Sequence, residues 1–180
     1  MCIRDRDIPQ DVLDQRCRYS ESEFDLTPAR YRFTGRIRPD ADGVARAVDV
    51  LADARRPLIV AGGGVIASEA GEQIRQLAAR LRCPVVPTQM ALGVVSSDSP
   101  HFIGHGGLIA GPPIREAFAE ADVILSVGCR WSSWMWDEHG PLARRTHRTI
   151  AINLDASALG HPAVHELSLI HISEPTRRRG

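Results

Sequence analysis

An apolar run that ends in three glycines constrains the fold of this chain more than any other feature. Residues 56–61 read Arg-Pro-Leu-Ile-Val-Ala, and Gly62, Gly63 and Gly64 follow them directly. Such a run is typical of a fully buried strand. Glycine lets another group come close to the backbone. We expect that group to be either the first turn of the next helix or a phosphate held by N–H groups at a helix N-terminus.

A pattern of strands and helices repeats after the glycines. Apolar strands are predicted at residues 82–87, 122–128 and 149–154, and helices at residues 67–81 and 114–121. Strands that alternate with helices of this length pair in parallel through right-handed crossovers. The chain is therefore predicted to be an α/β protein with a doubly wound parallel sheet, covered on both faces.

One more helix is predicted ahead of the glycines. Asp42 is expected to cap it, because an aspartate side chain can accept the unpaired N–H groups of a first helical turn. The apolar face of this helix is predicted to carry Val44, Ala47, Val48 and Leu51.

Both ends of the chain resemble translated adapter DNA. Residues 1–6 can be encoded by ATG TGT ATA AGA GAC AG plus one base, and the reverse complement of that DNA encodes Leu-Ser-Leu-Ile-His-Ile, which stands at residues 167–172. The DNA resembles the mosaic end of transposase adapters, and residues 173–177 fit its continuation. We therefore expect residues 1–6 and 167–180 to be an adapter artefact rather than a cap strand and a basic tail. Genomic DNA that encodes both ends contiguously with the rest would contradict this.

Charge, cysteines and hydropathy argue against several function classes. The chain carries 22 basic residues, all of them arginine, and 22 acidic ones; without the two terminal segments, 17 and 20 remain. No basic face is left to indicate a nucleic-acid partner. Cys17, Cys83 and Cys129 have no metal or redox spacing, so a reduced, cytoplasmic protein is expected. No apolar run is long enough to span a membrane.

The stretch at residues 13–39 is predicted to be an interdomain linker. It is polar and rich in arginine, is interrupted by Pro28 and Pro39, and shows little hydrophobic periodicity. A structureless segment of that length is unusual inside a compact domain. Residues 7–12 are then expected to end a preceding, pyrimidine-binding domain, and residues 40–166 to form the central domain.

Several short motifs follow one another in a characteristic order. They are residues 7–12, the long linker, Ile-Val-Ala-Gly-Gly-Gly at 59–64, Pro-Val-Val-Pro-Thr at 84–88, residues 121–130, and Ile-Asn-Leu-Asp at 152–155. In this order they resemble the linker and the Rossmann-like central domain of thiamine diphosphate-dependent enzymes of the acetolactate synthase type. Each motif alone is weak, and the order does not distinguish between members of the family.

The resemblance implies an activity that this stretch does not perform alone. In similar enzymes a 2-keto acid loses carbon dioxide, and the remaining fragment is passed to an acceptor or protonated, with the cofactor as electron sink. The catalytic Glu lies in the preceding domain, and a Gly-Asp-Gly…Asn segment that ties magnesium to the diphosphate lies in the following one. This sequence contains no Gly-Asp-Gly. We expect no catalytic and no metal-binding residue here, and no catalysis by the isolated chain.

The resemblance also implies a nucleotide site on this domain, for flavin adenine dinucleotide (FAD), another adenine nucleotide or CoA. Ligands of doubly wound sheets bind outside the carboxyl ends of the strands. Matching the family motifs position by position predicts eight contact residues: Gly62, Gly63, Gly64, Thr88, His105, Gly128, Arg130 and Asn153.

Departures from the family pattern leave a plain structural interpretation open. Flavin-binding members carry Arg-Phe-Asp-Asp-Arg where residues 130–134 read Arg-Trp-Ser-Ser-Trp, and Asn153 replaces the usual acid. The glycines can simply allow close packing of helix and strand. Arg130 can form an interdomain ion pair, and His105 can be a loop residue without a ligand contact. The tryptophans are expected to be buried against an adjoining domain or subunit more readily than to stack on adenine: Trp131, Trp134 and Trp136. Histidines without metal spacing are expected at the surface: His139, His147, His161 and His165.

Two other function classes remain open. Residues 62–67 match the Gly-x-Gly-x-x-Ala fingerprint of nicotinamide dinucleotide-binding dehydrogenases, which alone is weak support. The next strand should then end in Asp or Glu, but it ends in Pro87-Thr88. The third class is a purely structural interaction domain. For the full-length protein the resemblance implies thiamine diphosphate and magnesium as cofactors, a 2-keto acid substrate, and a homo-dimer or homo-tetramer.

Overall fold

A computed structural model describes residues 9–16, 18, 20, 39–107, 109–132, 135, 147–155 and 158. The chain divides into two compact units, Met1–Gly35 and Arg36–Gly180. In the first unit, the described structure is a short helix, α1, Gln10–Leu13. The predicted adapter segments and most of the predicted linker lie outside the described residues, so those boundaries stay predictions.

The second unit alternates helices and strands. Its elements run in the order α2 (Ala41–Ala52), β1 (Pro57–Ala61), α3 (Gly63–Ala67), α4 (Gly71–Leu81), β2 (Val85–Pro87), a 3₁₀ turn (Gln89–Ala91), α5 (Pro112–Glu120), β3 (Val123–Val127) and β4 (Arg148–Ile152). The strands form one four-stranded sheet in the order β2-β1-β3-β4. Every neighbouring pair is parallel, which confirms the predicted doubly wound α/β fold.

Both faces of the sheet are buried, which explains why the strands read as continuous apolar runs. One face carries a row of register partners, Val85, Ile59, Leu125 and Ile150. That row packs in one core cluster with Ala47 of α2 and with Ile74 and Ala78 of α4. The opposite face forms a second cluster in which α5 is the covering helix: Leu58, Val60, Val86, Ile124, Ala151, Ile114 and Phe118.

The helix ahead of the glycines differs from its prediction in two respects. Its cap is Asp40, whose Oδ2 accepts the N–H of Gly43 at 2.8 Å, and Asp42 lies inside the first turn. Ala47 is buried, whereas Val48 is 58% exposed, so Val48 does not belong to the apolar face. Two aspartates stand within one turn of each other here, and local sequence does not distinguish which of them caps the helix.

The helix predicted at residues 67–81 is two helices. Helix α3 begins within the glycine run, at Gly63, and ends at Ala67, and α4 begins at Gly71. Between them, Glu69 adopts the left-handed conformation, with φ of 55°. Helix α4 ends at Arg82, which is also left-handed, with φ of 50° and ψ of 42°. This break lets the short α3 lie at the strand end, while α4 covers the sheet.

Candidate functional site

The glycines after β1 allow two strand ends to touch. The N–H of Gly62 donates to the carbonyl of Val127 at 2.8 Å, and that of Gly64 donates to the carbonyl of Gly128 at 3.1 Å. A Cβ on Gly62 would lie 2.6 Å from Cys129 Cα, and one on Gly64 would lie 2.8 Å from Gly128 Cα. Real side chains do not tolerate such distances. The group that comes close to the glycines is therefore the backbone that follows β3.

Gly128 completes this contact from the other side. Its φ is +60°, a conformation that favours glycine. A Cβ at this position would lie 2.6 Å from Gly64 Cα. The Gly128 N–H donates to the carbonyl of Ile152 at 2.7 Å. Strands β1, β3 and β4 are thus joined at their carboxyl ends. The β1–β3 boundary is also the place where the strand order reverses, the usual ligand crevice of this fold class.

Asn153 extends the same network. Its amide Nδ2 donates to the carbonyl of Cys129 at 2.8 Å, and its Oδ1 accepts the N–H of Asp155 at 3.0 Å. The side chain predicted to meet a nucleotide therefore already ties the end of β4 to the loop after β3. An amide can donate to a carbonyl in this way and a carboxylate cannot.

Cys129 ties the loop after β3 to strand β1. Its buried thiol donates to the carbonyl of Val60 at 3.3 Å. Burial raises the pKa of the Cys129 thiol to about 12, so the thiol is neutral at physiological pH. A neutral, buried thiol of this kind behaves as a small apolar group rather than as a nucleophile.

Trp131 is buried as predicted, but within its own domain, and His147 is buried although it was expected at the surface. Trp131 is 5% exposed and packs in the α5-side cluster of this domain rather than against another domain or subunit. Its indole Nε1 has no hydrogen-bond partner in the part of the chain that the structure describes. His147, expected at the surface, is 5% exposed and immediately precedes β4. The other tryptophans and histidines of those two predictions lie outside the described residues: Trp134, Trp136, His139, His161 and His165.

The remaining predicted contacts lie at the same edge. Thr88 follows β2, is 7% exposed, and its N–H donates to the carbonyl of Ala61 at 2.8 Å. His105 is half-buried in a loop that runs beside β2, where the N–H of Gly106 donates to the carbonyl of Pro87 at 2.9 Å. Arg130 is exposed after β3. The structure thus brings all eight predicted residues to the carboxyl edge of the sheet.

Their polar groups do not fit a diphosphate at the glycine turn. Two of the three glycine N–H groups and the amide of Asn153 already have protein partners, and the space beside Gly62 and Gly64 is filled by Gly128. The predicted nucleotide contacts stay a prediction, and no chemistry is derived from them. Among the described residues, no three His, Cys, Asp or Glu side chains are grouped to hold a metal ion.

Several exposed apolar residues at the carboxyl edge were not predicted from sequence. Five large apolar side chains are 45% to 79% exposed in the segments that follow the strands or lead into α5: Ile66, Met90, Leu92, Ile109 and Leu154. The sequence did contain a signal for them: apolar residues that fit neither helical nor strand periodicity can indicate a surface covered by another protein segment. No described helix has the length and apolar character that crossing a membrane requires.

Comparison with known proteins agrees with this fold. A family profile described as "Thiamine pyrophosphate enzyme, central domain" matches residues 44–175. That range runs past residue 166, so the assignment of the C-terminal segment to an adapter stays a prediction.

Curated relatives share a low but extended identity. A probable acetolactate synthase large subunit of Methanococcus aeolicus is 31% identical over 162 residues, which is 86% of this chain and 26% of the relative. A pyruvate oxidase of Lactiplantibacillus plantarum is 31% identical over 138 residues, covering 77% of this chain and 22% of the relative. An acetolactate synthase of Mycobacterium leprae is 32% identical over 148 residues, covering 80% and 23%.

The chain spans about a quarter of the length of these relatives. Its parallel sheet, the glycine contact between β1 and β3, and the profile match over most of its length agree with one another. The chain therefore belongs to the family of thiamine pyrophosphate enzyme central domains.

Proposed function

We propose that this chain is the central domain of a thiamine diphosphate-dependent enzyme of the acetolactate synthase type, which decarboxylates a 2-keto acid and transfers or releases the remaining fragment. The observation that carries the proposal is the family match over residues 44–175, together with the relatives named as acetolactate synthases. Bound thiamine diphosphate would supply the electron sink for the decarboxylation. Magnesium would hold its diphosphate.

In this proposal the chain contributes scaffold rather than reacting groups. Three residues at the described carboxyl edge are buried and neutral: Cys129 is a protonated thiol, Trp131 is packed in the core, and Thr88 is 7% exposed. None of these can act as a general base near neutral pH. We propose that thiamine diphosphate and magnesium are held by parts of the enzyme outside this chain, which then has no catalytic residue of its own.

The exposed apolar residues of the carboxyl edge support a further part of the proposal. Side chains such as Met90 and Ile109, 78% and 79% exposed, suit a surface that is covered in the complete enzyme. We propose that the complete enzyme is a homo-dimer or homo-tetramer. Light scattering of the purified full-length protein tests this, and a monomer at micromolar concentration would contradict it.

A dehydrogenase is the weaker alternative. In that class a carboxylate at the end of the second strand holds the ribose hydroxyls. In this structure β2 ends at Pro87 and is followed by the buried Thr88, so no acid stands at that position. The geometry therefore favours the thiamine diphosphate proposal over nicotinamide binding.

Flavin or another adenine nucleotide on this domain is a separate proposal. It is supported by the relative named as a pyruvate oxidase. Against it, the N–H groups of Gly62 and Gly64 already donate to backbone carbonyls. The absorption spectrum of the purified full-length protein distinguishes the cases. A flavin band would support a flavin site. Its absence after incubation with FAD and removal of the unbound FAD by gel filtration would support the scaffold interpretation.

The free thiols of Cys83 and Cys129 support a reducing compartment, which we propose to be the cytoplasm. Fractionation of the source cells tests this, and recovery outside the cytoplasm would contradict it.

Activity of the complete enzyme tests the main proposal. The full-length protein should release carbon dioxide from pyruvate or a related 2-keto acid only when thiamine diphosphate and magnesium are both present. The matched control is the 180-residue chain under the same conditions, for which we expect no turnover. A folded full-length protein that binds thiamine diphosphate but decarboxylates no 2-keto acid would contradict the proposed reaction.

A further inference from the structure

The opposite edge of the sheet carries an open groove of about 530 Å³. It lies where the strands begin, because its lining includes Pro57 at the start of β1, Pro84 just before β2, and Ala121 just before β3. We call it the amino-edge groove. Its volume is within the range of small-molecule sites, roughly 300–1,000 Å³. Its lining includes none of the eight residues predicted to contact the nucleotide.

Three arginines and two glutamates line the amino-edge groove. Arg56 pairs with Glu120, with Nη1 2.9 Å from Oε2. The guanidinium groups of Arg55 and Arg82 have no carboxylate partner within the described part of the chain. Each of these two guanidinium groups can form charge-assisted hydrogen bonds with an oxyanion in the groove.

Arg55 and Arg82 lie in the chain segments that precede two paired strands, β1 and β2. Ile59 of β1 lies opposite Val85 of β2, and the N–H of Ile59 donates to the carbonyl of Pro84 at 3.1 Å. Continued along the strands, this register places the residues before β1 beside those before β2. Arg55 and Arg82 therefore enter the groove from adjacent chain segments.

The backbone of Arg55 and Arg56, directly before β1, is held in place by one carboxylate. The carboxylate of Asp122 accepts the N–H of Arg55 at 2.7 Å and that of Arg56 at 3.0 Å. Burial alone would raise the pKa of Asp122, but these hydrogen bonds outweigh it and lower the pKa below its ordinary value. Asp122 therefore stays ionised and keeps the turn before β1 in position. This role of Asp122 was not predicted from sequence, although an acid directly before a buried strand is a visible signal.

Arg82 occupies a position where glycine is the favoured residue. Its φ of 50° and ψ of 42° are left-handed, at the end of α4. Helices commonly end in this conformation with glycine, because a side chain adds strain there. Strained residues cluster at functional sites, where the surroundings hold them in place. Arg82 thus ends α4 in a conformation that costs an arginine more than it would cost a glycine.

The floor of the groove is apolar. Leu58, Pro84, Ile103 and Ala117 line it, together with the buried thiol of Cys83. Burial raises the pKa of the Cys83 thiol to about 11, so it is neutral at physiological pH and acts as part of this apolar surface. A ligand with an apolar body and one anionic end matches the floor and the two arginines.

We propose that the amino-edge groove binds a small organic anion, a carboxylate or phosphate ester with an apolar body, whose oxyanion contacts Arg55 and Arg82. This goes beyond the proposed enzyme activity, because the groove is at the opposite edge of the sheet from the nucleotide contacts predicted at the strand ends. Charge-assisted hydrogen bonds from two guanidinium groups supply specificity, and the floor supplies apolar contact.

Calorimetric titration of the full-length protein with phenyl phosphate, inorganic phosphate and phenol tests the proposal. Phenyl phosphate should bind more tightly than inorganic phosphate, which lacks the apolar body, and more tightly than phenol, which lacks the charge. The variants Arg55→Gln and Arg82→Gln should each weaken phenyl phosphate binding by about tenfold or more, as expected for loss of one charge-assisted contact.

Arg80→Gln is the matched control. Arg80 is exposed in the last turn of α4, two residues from Arg82, and does not line the groove. This variant removes the same charge and should change the affinity less than about twofold, because exposed charges act weakly through water. Equal loss in Arg80→Gln, no loss in the two groove variants, or no binding of phenyl phosphate at millimolar concentration would each overturn the proposal.

Discussion

Single residues at the strand ends stabilise the fold through contacts that their amino-acid types alone do not predict. Gly62 is the sharpest case, because an added Cβ would lie 2.6 Å from Cys129 Cα and even closer to the Gly128 backbone. We expect Gly62→Ala to lower the free energy of unfolding by about 3 kcal/mol or more, since backbone cannot move away as a side chain can. Chemical denaturation measures this. Gly71→Ala is the control, because its Cβ would meet only the end of the Arg75 side chain, at 3.3 Å; an equal loss there would contradict the steric account.

The two buried thiols predict how stability changes at high pH. Burial raises the pKa of Cys83 to about 11 and that of Cys129 to about 12, from a usual 9.0. A raised pKa means that the folded state holds its proton more tightly, so the stabilisation is complete below pH 9 and is lost as pH rises towards 12. Denaturation curves of Cys129→Ala should show a smaller loss of stability across that window than the original chain. Parallel losses in both proteins would contradict this.

Arg82 predicts a conflict between stability and binding. Arg82→Gly should raise the free energy of unfolding by about 0.5–1 kcal/mol, because glycine relieves the left-handed strain, less its own entropy cost. The same variant should weaken phenyl phosphate binding. Glu69→Gly is the control, since Glu69 has a φ of 55° but does not line the amino-edge groove. It should leave phenyl phosphate affinity unchanged; an equal weakening would contradict the role of the Arg82 side chain.

At the scale of elements, side chains after the strands join neighbouring strand ends. Asn153 links the end of β4 to the loop after β3 through its 2.8 Å hydrogen bond to the Cys129 carbonyl. We expect Asn153→Asp to lower the free energy of unfolding by about 1–3 kcal/mol, because a carboxylate cannot donate and would face a carbonyl oxygen. Thermal denaturation near neutral pH checks this. Gln89→Glu makes the same chemical change at an exposed position, and a comparable loss there would contradict the account.

Elements were more predictable than the contacts between them. The strands were predicted from sequence because strands buried on both faces are predominantly apolar, as residues 57–61 are throughout and residues 123–127 are except for Ser126. The partner of the glycines was not predictable, because Gly128 is distant in sequence and reaches Gly64 only through the sheet order. Trp131 was placed wrongly for a similar reason. Beyond the end of a strand, the alternation of side chains between the two faces no longer predicts where a side chain points. The burial of Trp131 in the α5-side cluster therefore depends on tertiary packing.

At the scale of the whole molecule, the domain has two distinct edges. The carboxyl edge is closed by backbone contacts around Gly128 and exposes apolar side chains such as Met90. The amino edge is open and carries Arg55 and Arg82, which have no carboxylate partner among the described residues. This arrangement suits a central domain that is covered on one side by the rest of an enzyme and exposes a small-molecule site on the other.

The central claim is that this domain serves a thiamine diphosphate-dependent enzyme acting on 2-keto acids. The most direct test measures carbon dioxide release from pyruvate and related 2-keto acids by the full-length protein, with thiamine diphosphate and magnesium added together, singly and not at all. The account predicts release only with both cofactors. Release that is unaffected by omitting thiamine diphosphate from cofactor-stripped protein, or no release from any 2-keto acid by folded, cofactor-loaded protein, would contradict it.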